Sequence, residues 1–331
     1  LASSPGLARP GEATAQILRN LWNREPHRPT SPWTAPSNLV RTNIKSAIEN
    51  MLSKSLRTAA KGSGAGLSGW RFEYLFPLLR APSYEWDSFV GLAVAVAVGE
   101  VPLWVRDVLS LGRATALKKG DTGVRPLVCH EPLRRLLTRA LVFESGLEVQ
   151  EYLGPHQFAV GIAGGCPAMA LSVKKLAHEQ KDLVFFKLDL VNAYNTQSRE
   201  DALENLMHAS PELASFLRQF YGSGSQYFYR TGQSEHCIIS AAEGIEQGDA
   251  AGPALFACGL KTPLDELRVE LRRLIIVNQN TARGYEADSE NAAQRDRSLS
   301  ESDVADTPTA VFAYLDDTIM GVPPEIAGEA L

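Results

Sequence analysis

Three carboxylates stand out by their surroundings. Asp189 closes the run Leu183-Val-Phe-Phe-Lys-Leu-Asp189, and Asp316 and Asp317 lie between Val311-Phe-Ala-Tyr-Leu315 and Thr318-Ile-Met-Gly-Val322. An Asp-Asp pair occurs by chance about once in a chain of this length, so the pair alone means nothing. Its flanks carry the argument: β-forming apolar runs on both sides predict a hairpin with the acids at a buried tip. Two carboxylates 4 Å apart repel by about 4 kcal/mol at an effective dielectric near 20. A divalent cation offsets that repulsion, and hard carboxylate oxygens select Mg²⁺ or Mn²⁺. The plain alternative is a solvated turn.

Three more segments hold residues suited to phosphate or nucleotide chemistry. Lys118-Lys119 precede Gly123-Val124-Arg125-Pro126, Asn192-Ala193-Tyr194-Asn195 follows Asp189, and Gly244-Ile-Glu-Gln247-Gly248-Asp249 leads into Gly252-Pro253. Singly, each has a dull reading: solvated lysines, a core tyrosine, turn-forming glycines.

The charge distribution agrees with a phosphate-facing region beside a cation-gathering one. The chain of 331 residues has a net charge of −5, but residues 1–150 carry 19 Lys+Arg against 12 Asp+Glu, and residues 151–331 carry 14 against 26. Part of that acidity is a polar stretch, since 282–306 holds three Arg and seven acids. With 44% hydrophobic and 21% charged residues, a wholly disordered chain is excluded. The longest uncharged apolar stretch, Ser88 to Gly99, is 12 residues, too short for a membrane span. Cys129, Cys166, Cys237 and Cys258 form no CxxC pair, which argues against a zinc ribbon or disulfide scaffold and fits a reducing compartment. The chain opens on Leu1 with no signal peptide and reads as an internal fragment.

Periodicity supplies the elements that must position these residues. Residues 1–39, broken by Pro5, Pro10, Pro26, Pro29, Pro32 and Pro36, read as a mostly irregular leader with a short helix near Thr14–Trp22. Helices are predicted over Arg41–Ala60, Trp70–Leu79, Trp86–Val98, Leu133–Tyr152, Cys166–Gln180, Glu200–Met207, Glu212–Tyr221 and Pro253–Ile276. Leu109–Val128 reads as two strands about a turn at 119–123, Leu183–Asp189 as a buried strand, and Gln226–Arg230 with Cys237–Ser240 as a hairpin. Residues 278–308 read as a disordered insertion, and no internal repeat is present.

In this order the segments resemble reverse transcriptases of non-LTR (LINE-type) retrotransposons. The resemblance rests on LSGWRFEYL (67–75), ALKKGDTGVRPLVCHEPLRRLLTRALV (116–142), HQFAVGIAGGCPAMALSV (156–173), FFKLDLVNAYNTQSR (185–199), GIEQGDAAGPALFACGL (244–260) and AYLDDTIMGV (313–322). It spans residues 40–322 outside the insertion, and its strongest part is the series D-x-x-N-A-Y-N, Q-G-D-x-x-G-P and Y-x-D-D.

The resemblance implies an α+β right-hand polymerase: 40–183 as fingers, and 184–331 as a palm whose antiparallel sheet is flanked by helices. It implies an RNA-directed DNA polymerase with an RNA template, a DNA primer and dNTPs as partners. Asp189 and Asp316 would ligate two Mg²⁺ (or Mn²⁺) ions, with Asp317 in support and the Leu190 carbonyl completing one shell. Lys118 or Lys119, with Arg125, would reach the triphosphate. Gln247 and Gly248 would pack against the incoming nucleotide and template base, and Tyr194 would be the steric gate against a 2′-hydroxyl. Ala250, where the family usually has Pro, and Ala251, where Leu is common, depart mildly. The insertion is unusual, and the expected thumb and primer grip would follow Leu331. Two other readings share these acids: a catalytically dead retroelement remnant with weak nucleic-acid binding, and a group II intron maturase-type palm polymerase.

Overall fold

The computed structural model describes residues 6–26, 28–121, 123–282 and 310–330. In chain order its elements are α1 (Glu12–Trp22), α2 (Asn38–Arg57), α3 (Ser83–Ala97), α4 (Leu103–Ser110), β1 (Gly112–Lys119), β2 (Gly123–Cys129), α5 (Pro132–Glu144), α6 (Gly146–Leu153), α7 (Gly165–Glu179), β3 (Val184–Leu188), α8 (Ala193–Thr196), α9 (Arg199–Ala209), α10 (Pro211–Tyr221), β4 (Ser225–Arg230), β5 (His236–Ala241), α11 (Gly252–Ala282), β6 (Ala310–Tyr314) and β7 (Asp317–Val322). The chain is a mixed α+β protein. No helix among the described residues is long and apolar enough to cross a membrane.

Contacts divide the chain into two units, along lines other than the expected 1–39, 40–183 and 184–331. The first comprises Leu1–Tyr152 and Asn192–Gly259, the second Leu153–Val191 and Leu260–Leu331. Of the expected insertion 278–308, the described residues include only its start, where α11 continues to Ala282; the rest lies outside them.

The first unit holds a mixed four-stranded sheet ordered β2-β1-β4-β5, in which β1 pairs antiparallel with β2 and parallel with β4. Alternation puts Ala114, Ala116, Val124 and Val128 on one face, where they are buried with Tyr227, Tyr229 and Ile239. The same core contains Ala15, Leu18 and Trp22 of α1, so the supposed leader is structural. Leu7 bridges antiparallel to Leu117, Trp22 lies 4.8 Å from the Tyr227 ring, and Arg28 pairs with Asp201 and Glu204. The prolines forbid a long helix there, but a strap needs only partners for its polar groups.

Helix α2 shows why a helix forms where one was expected. Ser37 caps the Val40 amide, and Ile44, Ile48, Leu52 and Leu56 recur at four-residue spacing and are fully buried. Two other helices differ from expectation. The stretch predicted as Trp70–Leu79 forms short 3₁₀ turns, Phe72–Tyr74 and Phe76–Arg80, because Pro77 removes a donor in the middle. The predicted Leu133–Tyr152 helix divides between α5 and α6 at Ser145, whose hydroxyl hydrogen-bonds that of Ser210 at 2.8 Å. Leu109, expected to open a strand, closes α4 instead.

The second unit is built on a three-stranded antiparallel sheet ordered β3-β7-β6. Phe186 and Leu188 join Val311, Met320 and Val322 against Leu271 and Ile275 of α11. Strand β3 is therefore half-buried at the sheet edge, not the doubly covered strand its apolar run predicted.

Candidate functional site

The antiparallel register brings the acids of the second unit together. Lys187 pairs with Ile319 and Leu188 with Thr318, and Asp189 and Asp317 are the residues that directly follow and precede that last pair. Strand β7 is also paired with β6, Tyr314 facing Asp317. Asp316 and Leu315 are then the two residues of a tight hairpin turn. Leu315 has φ +55 while Asp316 does not share the positive sign, the pattern of a type II′ turn. A leucine held at that positive φ is strained by about 1–3 kcal/mol.

The acids are not at a buried tip. Asp189 and Asp317 are exposed and Asp316 is half-buried. The expected repulsion is relieved by a residue that the sequence analysis passed over. Lys187 Nζ lies 2.9 Å from Asp317 Oδ1. The Asp317 hydrogen bond and charge raise the Lys187 pKa, and Asp189 and Asp316 add to the effect. All three carboxylates thus act on one ammonium. Among the described residues, no three His, Cys, Asp or Glu side chains are grouped so as to hold a metal ion. The donor chemistry of Asp189, Asp316 and the Leu190 carbonyl still suits a hard divalent cation, being all oxygen. Asp317 is engaged by Lys187.

The turn is held from the side. Gln157 bridges in parallel to Ala313, Phe158 N–H donates to the Ala313 carbonyl at 2.8 Å, and Ala313 N–H donates to the His156 carbonyl at 2.8 Å. This backbone approach continues into α7, where a Cβ on Gly165 would lie 1.7 Å from the Phe158 carbonyl oxygen. Only glycine fits there.

In the first unit the other candidates separate by face. Lys118 pairs with Val124 on the side that α1 covers, while Lys119 pairs with Gly123 and Arg125 with Leu117 on the opposite side. All three are exposed. Lys119 and Arg125 therefore share one face of the hairpin, and Lys118 lies on the other.

The Gly244–Pro253 loop is fastened by a buried ionic network that sequence reasoning missed. His130 Nε2 lies 2.6 Å from Glu246 Oε2, and Arg134 donates to Glu246 at 2.9 Å and to Asp249 at 3.2 Å. The Tyr227 hydroxyl donates to Glu246 at 3.0 Å and the Tyr221 hydroxyl to Asp249 at 3.1 Å. Burial alone would raise the Glu246 pKa, but His130 and Arg134 outweigh it and hold the carboxyl well below the usual range. Burial lowers the Arg134 pKa, yet Glu246 and Asp249 more than restore it. Burial and then Asp249 push Tyr221 upward; burial and then Glu246 do the same to Tyr227. Both phenols remain neutral donors. The sequence offers little signal for this network: His130 stands two residues before α5 and Arg134 lies in its first turn.

Gln247 and Gly248 follow from this anchor. Val128 N–H donates to the Gln247 carbonyl at 2.8 Å, and Gln247 Nε2 donates to Asn195 Oδ1 at 3.3 Å. Gly248 has φ +113, and a Cβ there would lie 2.5 Å from the Val128 carbonyl oxygen. Tyr194 stacks on Phe256 at 4.4 Å with rings 6° from parallel, and its carbonyl accepts from Ile245 N–H at 2.6 Å. The structure brings Tyr194, Gln247 and Gly248 into one loop cluster, and Asp189, Asp316 and Asp317 to one sheet edge.

No protein-family model matches this chain. It is 26% identical over 217 residues to the retrotransposable element SLACS 132 kDa protein of Trypanosoma brucei gambiense. That similarity points to a retrotransposon-related protein. The aligned part is 64% of this chain and 18% of that protein, so the chain spans less than a fifth of its relative.

Proposed function

We propose that this chain is the fingers and palm portion of a reverse transcriptase, an RNA-directed DNA polymerase that extends a DNA primer on an RNA template with dNTPs. The observation that supports the reading is the antiparallel β3–β7 register, which ends at Leu188 and Thr318, so that Asp189 and Asp317 are the next residues of the two paired segments, with Asp316 in the adjoining turn. The similarity to a retrotransposable-element protein supports it.

In this reading Asp189, Asp316 and the Leu190 carbonyl hold Mg²⁺ or Mn²⁺, with Asp317 in support. Two such ions, when bound, would acidify the primer 3′-hydroxyl and neutralise the leaving pyrophosphate. The chain's own groups do the rest. Lys119 and Arg125 bind the triphosphate, Arg125 offering a forked contact. Gln247 and Gly248 present a rigid backbone to the nucleotide and template base. Tyr194, braced by Phe256, excludes a 2′-hydroxyl.

The test is primer extension on an RNA template by the protein that contains this chain. Asp316→Ala is expected to abolish synthesis. Wild-type extension no better than that of Asp316→Ala would end the proposal. A second reading, a non-catalytic retroelement remnant that binds nucleic acid, draws on the Lys187–Asp317 pair, which occupies one of the expected ligands. Salt-dependent RNA binding without extension would favour it.

A further inference from the structure

Gln157, whose backbone bridges to Ala313 beside the turn, has a side chain only 3% exposed. Its Oε1 accepts the Leu315 backbone N–H at 3.1 Å and the Ala159 backbone N–H at 3.2 Å. Both partners can only donate, so the amide is oriented with its oxygen toward them. Leu315 is the residue at φ +55 immediately before Asp316. A type II′ turn ordinarily uses glycine at this position, so a leucine there must be held by its surroundings.

We propose that Gln157 is a positioning residue that fixes the Leu315-Asp316 turn and so aims the Asp316 carboxylate. Backbone pairing with Ala313 delivers Gln157 to the turn, and its own oxygen clamps the turn and the Ala159 amide together. Strand pairing alone would leave the turn able to relax toward negative φ at Leu315. The carboxylate one residue later would then swing away from the edge where Asp189 ends its strand. The catalytic part of this inference rests on the polymerase reading; the clamp itself does not.

The test compares Gln157→Met, which keeps length but loses the acceptor, with Gln157→Glu, which keeps an acceptor. Amide hydrogen exchange at Leu315 is read together with primer-extension kinetics, in the protein that contains this chain. Gln157→Met is expected to speed Leu315 exchange at least about tenfold. It is also expected to lower kcat about 10- to 100-fold with little change in KM for dNTP. Gln157→Glu should restore the slow exchange. Unchanged Leu315 exchange in Gln157→Met overturns the inference, as does faster exchange with unaltered kcat in an active enzyme. A wild type without extension fails the polymerase reading instead, and the exchange rates then decide on the clamp by themselves.

Discussion

The two units treat charge in opposite ways. In the first, His130, Arg134, Glu246 and Asp249 are buried, paired and donated to by two tyrosines. In the second, Lys187, Asp189 and Asp317 lie exposed at a sheet edge, and Lys187 is ion-paired with Asp317. A buried ion pair is expensive to break because the partner is left without solvent; an exposed one costs little to exchange. The first arrangement fixes a loop. The second leaves its charges open to solvent.

The sharpest break between them is functional. Asp316→Ala is expected to eliminate primer extension while leaving stability within about 0.5 kcal/mol, since it removes an acid from a half-exposed turn. Equal loss of stability and activity would mean that the turn, not the carboxylate, was the essential part. Glu246→Ala should act first on stability. It is expected to cost about 3–5 kcal/mol in chemical denaturation, because Arg134 is left buried without its nearest acid. A cost under about 1 kcal/mol would show that the network is not the anchor of the loop.

The pH dependence sharpens the same contrast. The Glu246 carboxyl is held below its ordinary value of 4.5 in the folded chain. Its contribution is therefore fully present above that value and is lost as pH falls toward the folded pKa. Between about pH 5 and pH 3, wild type should lose more stability than Glu246→Gln. Parallel acid profiles would mean that another carboxylate governs this range.

Smaller effects test the edges of each site. Gly248→Ala is expected to destabilise by about 1–3 kcal/mol, because the residue would meet the Val128 carbonyl at a positive φ. Tyr194→Ala should admit ribonucleotides into extension products if the ring is the gate. The least effect belongs to Lys187→Met, expected to change stability by at most about 1 kcal/mol, as an exposed pair should. It should leave Asp317 more available to a cation, read as tighter Mn²⁺ binding in an electron-spin-resonance titration.

Elements were legible where local physics repeats. The four-residue apolar spacing of α2, the turn residues between β1 and β2, and the apolar flanks of Asp316-Asp317 each announced their structure. The short helix near Thr14–Trp22 and the irregular chain around it were legible, but the prolines speak about helix length and say nothing of what Leu18 and Trp22 pack against. The break within 133–152 falls at Ser145, which hydrogen-bonds Ser210, 65 residues away, a contact no local pattern shows.

The sequence by itself determined which residues could do chemistry: oxygen ligands after apolar strands, a basic hairpin and a glycine-bearing loop. Those are matters of residue type and near neighbours. Only the tertiary structure decided that Lys187 pairs with Asp317, that Lys118 faces away from Arg125, and that Gln157 grips the turn before Asp316. Strand register and the burial of a polar group depend on partners distant along the chain, and no local pattern encodes them.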